Sequence, residues 1–179
     1  MILLHLMNNT FADKLQLEEL NPGRPLLPRD SPESRATARY WADHINRHVI
    51  PAFYATLQAQ DSQKQIDSAT ELHTHLQPLI SASHPDGPFF AGATMSWVDI
   101  FFAPWMVRLS KVLKVYRNWP DPEPGTRWAA WMKAVLGEES VKMTTSTDEL
   151  YVESYERYAA NRPHTSLLAD AVNAGMGLP

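Results

Sequence analysis

The sequence has no cysteine. Disulfides, thiolate metal sites and cysteine nucleophiles are excluded together, and the composition suits a reducing compartment. Glycine is scarce, with seven residues against fourteen prolines, a balance that favours helices joined by rigid connectors. No segment alternates polar and apolar residues with the period of two that marks a strand. Basic runs are also missing and the formal net charge is −4. Phosphate backbones require clustered Lys and Arg, so nucleic acid is excluded as a partner. No apolar stretch approaches the roughly 20 residues that span a bilayer. The longest terminal one, Met1 to Met7, contains His5 and lacks the basic flank and cleavage pattern of a signal peptide. The expectation is a soluble cytoplasmic protein with no membrane partner. Glycine-rich phosphate loops, a Ser–His–Asp order and paired carboxylates in an apolar setting are absent too.

What the chain does hold is aromatic and helical. Hydrophobic residues make up 44%, with six each of Trp, Tyr and Phe, enough for a core or ligand cleft rich in rings. Prolines gather at Pro22, Pro25, Pro28 and Pro32 and again at Pro120, Pro122 and Pro124, marking irregular links. Ile2 to Asn9 reads as a helix too short to stand alone, whose Ile2, Leu3, Leu4 and Leu6 need cover. A long helix begins at Ser31 with Pro32 in its first position. Trp41, Ile45, Val49 and Phe53 form its buried stripe, and Pro51 should kink rather than end it. A second helix covers about 64–81, burying Ile66, Ala69, Leu72, Leu76, Leu79 and Ile80. Ser96 and Asp99 make a capping box, with Met95 and Ile100 at the staple positions of a third, central helix. Further helices are expected near 127–136, 147–161 and 166–174. The class is all-α.

The order of these features resembles the helical domain of cytosolic glutathione transferases, most closely omega-like fungal members. The residues that carry the likeness are Leu26-Leu27-Pro28-Arg29-Asp30, Phe90-x-Gly92, Ser96-x-x-Asp99-Ile100, Pro104-Trp105-x-x-Arg108-Leu109 and Trp128-x-x-Trp131. A tyrosine-rich last helix ending Tyr158-Ala159-Ala160-Asn161 completes the set. The resemblance implies a C-terminal-like helical bundle over 26–179. Residues 1–25 would be a remnant of the thioredoxin-like domain and a linker, a torn edge that exposes apolar surface and promotes association. Glutathione is the implied cofactor, with the Glu-Ser pair and activating residue that hold it falling before Met1. The implied function is binding a hydrophobic or aromatic electrophile for glutathione conjugation, reduction or isomerisation, in fungal secondary metabolism or detoxification. Alternatives are a non-catalytic ligand- or protein-binding module and a glutathione-independent enzyme on a small aromatic. The resemblance implies a homodimer through the first two helices of this domain together with the thioredoxin-like half; without that half a weaker dimer or none is expected.

Four residues are candidates for substrate binding. Arg108 falls where the resemblance places an Arg at the floor of the electrophile cleft, beside Trp105; otherwise it is an Arg tied to a carboxylate such as Asp99 or Asp43, since a buried guanidinium needs a partner. Tyr151, Tyr155 and Tyr158 recur at helical spacing, and Tyr151 and Tyr158 share a face. By resemblance Tyr151 and Tyr158 line the substrate site; otherwise they pack between helices with their hydroxyls at the rim. No catalytic residue is assigned. Ser96 and Asp99 are structural. His44 and His48 have the spacing of a helical metal pair, but no third ligand is evident, and His73 and His75 diverge; no metal is expected.

Overall fold

The computed structural model describes residues 20, 25–28 and 31–176, apart from the Leu168 side chain. The expected helix at residues 2–9, the torn edge, and Arg29 and Asp30 lie outside the described residues. Nine α-helices are found among the described residues: α1 (Pro32–His44), α2 (Ile50–Gln58), α3 (Ser62–Ala82), α4 (Trp97–Arg108), α5 (Lys114–Arg117), α6 (Arg127–Gly137), α7 (Glu139–Thr144), α8 (Asp148–Ala159) and α9 (Leu167–Asn173). No strand occurs there, only an isolated Phe89–Gly92 bridge. The all-α expectation holds.

The helix starts follow local chemistry. Ser31, Asp61, Thr126, Thr147 and Ser166 each accept the amide three residues on, at 3.1, 3.0, 3.2, 3.3 and 3.0 Å. Each side-chain oxygen satisfies a donor that the first turn leaves unpaired, a contribution of about 1 kcal/mol per cap. The chain stays helical through Pro51, as the resumed apolar spacing predicts. It does so with a π turn, Ile45–Val49, in which the Ile50 amide bonds to the Ile45 carbonyl. A second π turn, Leu109–Leu113, follows α4. A π turn widens the hydrogen-bonded ring by a residue, and neither was expected from the sequence. The short helix α7 was not expected either.

Ile45, Val49 and Phe53 are fully buried, with Trp41 half-buried at the end of their stripe. On α3, Leu72, Leu76 and Leu79 are buried, while Ala69 and Ile80 are half-buried. Ile66 corrects the reading: it is 60% exposed. Six residues at about 100° each put it roughly a third of a turn off the Leu72 face, so it leaves the stripe.

Helix α4 is the centre of the molecule. Trp97, Val98, Asp99, Phe101, Phe102, Ala103, Met106 and Val107 are all buried, and α1 and α6 pack against the helix. Both arms of the Ser96–Asp99 capping box are present. The Asp99 carboxylate does more than cap. Its Oδ2 accepts the Ser96 amide (2.7 Å) and hydroxyl (2.6 Å), and its Oδ1 accepts the Phe90 amide (2.8 Å) and the Trp131 indole N–H (2.6 Å). One buried charge thus joins the start of α4, the 84–92 loop and α6. The loop holds its own shape: His84 Nδ1 accepts the Gly87 amide (2.9 Å) and the His84 amide donates to the Phe90 carbonyl (2.8 Å). A Cβ on Gly87 would come within 2.5 Å of the Gly92 backbone, so the close approach requires glycine.

A second knot closes the far side. Arg117, at the end of α5, donates Nε to the Thr56 carbonyl (3.1 Å) and Nη2 to the carbonyls of Leu57 and Ala159, the latter at 2.7 Å. Those oxygens lie in the last turns of α2 and α8, where carbonyls lack helical partners and the helix dipole is negative. Burial lowers the Arg117 pKa.

Replacing Asp99 with Ala leaves four donors without an acceptor and should cost about 3–5 kcal/mol. Asn, which keeps one acceptor oxygen, should cost roughly 2 kcal/mol. Urea denaturation midpoints of the two variants check both the order and the size.

Candidate functional site

Arg108 ends α4. At about 100° per residue, the nine positions from Asp99 turn it to the opposite side of that helix. This geometry overturns the expectation of Asp99 as its partner, since Asp99 faces α6. Asp43, the other expected carboxylate, pairs with Arg47 at 2.8 Å. No acidic side chain among the described residues forms an ion pair with Arg108.

Aromatic rings and neutral oxygens take the place of a carboxylate. Arg108 Nε donates to the Tyr155 hydroxyl oxygen (2.5 Å) and Nη1 to the Pro104 carbonyl (2.8 Å). The guanidinium carbon stands over three rings: Trp105 at 5.1 Å, Tyr155 at 5.6 Å and Tyr151 at 5.7 Å from their centroids. Each ring's negative face attracts the cation, by about 0.5–2 kcal/mol depending on desolvation. Around this box the rings continue. Tyr54 lies 5.9 Å from Trp105 and 5.4 Å from Tyr158, and Tyr155 lies 5.6 Å from Tyr158. Phe53 closes the inner side, 5.4 Å from Trp105.

The four residues singled out in the sequence therefore meet in one cluster. Trp105 and Tyr151 touch Arg108 directly, and Tyr158 joins through Tyr54 and Tyr155. Tyr151 and Tyr155 are buried, whereas Arg108, Trp105 and Tyr158 are half-buried, so the cluster reaches the surface at that edge. Sequence reasoning passed over Tyr155 and Tyr54. Tyr155 was visible as the middle residue of the tyrosine series, four after Tyr151. Tyr54 gave a weaker signal, a phenol beside Phe53 in the buried stripe, and only the packing of α2 against α8 brings it to Arg108.

Burial, and then the neighbouring Tyr155, drive the Tyr54 phenol far above its ordinary pKa; Arg108 opposes the shift but does not cancel it. Tyr54 is accordingly a neutral hydroxyl at any working pH. Tyr155 accepts from Arg108 and shares a hydrogen bond with the Tyr54 hydroxyl. The polar groups of the cluster are a guanidinium and phenols. With no carboxylate beside them among the described residues, they do not fit the ammonium end of glutathione, and no thiol chemistry is assigned to them.

His44 is half-buried and His48 exposed. His75 comes across from α3 and stacks on His48, with centroids 5.0 Å apart, while His44 packs 5.4 Å from Trp41. The His44 Nε2 donates to the His75 carbonyl (2.9 Å). His73 diverges, as expected, to Gln77. His44 meets His75 edge-on and His48 at a tilt, and no group of three side chains among the described residues is disposed to hold a metal ion.

The raised Tyr54 pKa makes a signed prediction. A phenol held protonated by folding contributes stability that is complete below its unfolded pKa, about 10, and is lost progressively as pH rises above it. Absorbance titration should show Tyr54 ionising only with unfolding, one fewer late-titrating phenol in Tyr54→Phe, and a shallower alkaline loss of stability in that variant.

No helix among the described residues is long and apolar enough to cross a membrane. Comparison with known proteins places the rest. The model of the glutathione S-transferase C-terminal domain family matches residues 40–134. A glutathione S-transferase of Arabidopsis thaliana, DHAR2, is 31% identical over 117 residues, covering 63% of this chain and 52% of its own length. Glutathione S-transferase U19 of the same plant is 29% identical over 135 residues, covering 72% and 57%. Among solved structures, glutathione transferase Omega 3C from Trametes versicolor superposes with a TM-score of 0.72 at 33% identity, over 83% of this chain and 63% of that one. The chain spans about half the length of the curated relatives it matches. With the match running from Tyr40 in α1 through α4, Arg108 and into α6, the chain belongs to the glutathione S-transferase C-terminal domain family.

Proposed function

We propose that this chain is the electrophile-binding, helical part of a glutathione transferase-like protein. The observation that carries the reading is Arg108, held without a counter-charge among Trp105, Tyr151 and Tyr155 at a half-buried edge. A core has no use for an uncompensated cation in such a place, whereas a ligand site gains a polar anchor beside apolar rings. Arg108, Trp105, Tyr151 and Tyr158 are the proposed substrate-binding residues, with Tyr155 and Tyr54 added by the structure. Residues 26–179 are the proposed domain and 1–25 its lead-in.

The identity shared with the Trametes versicolor omega protein supports an omega-like assignment. The plant relatives carry other class names. Glutathione, bound by groups outside the described residues, would supply the thiol for conjugation, reduction or isomerisation of a hydrophobic or aromatic electrophile. The role of this chain is to hold that second substrate in a productive position, which lowers the barrier through proximity. A cytoplasmic setting, a pairing of two copies and a place in detoxification or secondary metabolism accord with this reading.

Calorimetry with two ligands tests it. A neutral biaryl, 4-phenylbenzamide, should bind this chain in the micromolar to millimolar range, and Trp105→Ala should weaken it about fivefold or more, a loss of roughly 1 kcal/mol or more for a removed ring contact. Glutathione alone should give no heat. Glutathione binding without biaryl binding would overturn the assignment of this chain to the electrophile.

A further inference from the structure

The rings around Arg108 describe one half of a ligand, and the guanidinium describes the other. Arg108 commits Nε to Tyr155 and one hydrogen of Nη1 to Pro104. Both hydrogens of Nη2 and the second of Nη1 meet no acceptor among the described residues. They form the end of a planar fork, the edge that receives two carboxylate oxygens side by side. The neighbouring polar groups are phenols, and the Tyr155 hydroxyl accepts from Arg108 and shares a hydrogen bond with Tyr54. The one charged group of the site is a cation without a counter-charge, which favours an acceptor that carries negative charge.

The rings set the rest of the ligand. The guanidinium carbon is 5.1 Å from the Trp105 centroid and 5.7 Å from that of Tyr151, while Tyr158, half-buried, extends the apolar wall through Tyr54. A molecule lying on these rings while reaching the Arg108 fork must have its charge close to its own aromatic system. We infer that the site takes an aromatic carboxylate, with the acid group on the ring or one carbon from it, and that Arg108 binds it through the Nη1–Nη2 edge. This rests on the reading of the cluster as the substrate site and narrows the substrate class. Hydrophobic electrophiles in general would not need the fork; an aryl acid fills both halves and supplies the counter-charge that the fold withholds.

A matched pair of ligands isolates the claim. 4-Phenylbenzoate and 4-phenylbenzamide have the same rings and differ in charge at a single group. Titrated calorimetrically against the unaltered chain, the carboxylate should bind about tenfold or more tightly than the amide, as expected of a charge-assisted bidentate pair. That advantage should shrink as salt is raised. In Arg108→Gln, shown to be folded by its circular dichroism, the carboxylate should lose far more affinity than the amide, so that the advantage vanishes. Equal affinities on the unaltered chain would overturn the carboxylate preference and leave the aromatic site standing. If neither ligand binds, the substrate-site reading itself fails. A carboxylate advantage that survives in folded Arg108→Gln would place the anion elsewhere and overturn the role of this fork.

Discussion

The buried carboxylate of Asp99 is the constraint on which the remaining architecture depends. It has no solvent to hydrate it, so its charge must be met by donors, and four converge from three parts of the chain. Such a group costs several kcal/mol to bury alone and specifies its surroundings once satisfied. Because Trp131 and Phe90 must both reach Oδ1, α6 and the 84–92 loop can take few positions relative to α4. The ring packing of Phe90, Phe102 and Trp128 around Trp131, at 5.5 to 5.7 Å between centroids, then fills the space on that side.

Fixing the start of α4 also fixes its end. Arg108 lies nine residues on, about 13 Å along the axis at 1.5 Å per residue, and faces the other way, toward α8. The two ends of one helix serve opposite ends: a charge fully compensated within the fold, and a charge the fold leaves partly open. The π turn that follows Arg108 packs against α8, and α8 presents Tyr151 and Tyr155 to the guanidinium. Arg117 secures the same arrangement from behind by joining the ends of α2 and α8. The site is thus held by two polar knots, neither of which touches a ligand.

The sequence by itself determined the all-α class, the helix starts at Ser31 and near 127, 147 and 166, and the capping box of α4. The physical reason is that caps, proline positions and apolar period act within a few residues, and their signals are local. A cation in an apolar stretch and tyrosines at helical spacing stood out without a fold, and the family resemblance singled out Arg108, Trp105, Tyr151 and Tyr158 among them. What the sequence could not supply was the partner of each. Asp99 and Asp43 were reasonable carboxylates for Arg108 by composition, yet helix rotation turns the first away and a neighbour four residues on takes the second. Tyr54 and the stacking of His75 on His48 come from α2 and α3 crossing other elements, and Ile66 lost its place in the stripe to the angular drift of the helix. The tertiary structure alone decided that Arg108 has rings and a phenol for company and no carboxylate, because long-range contact depends on how helices cross, which no local pattern encodes.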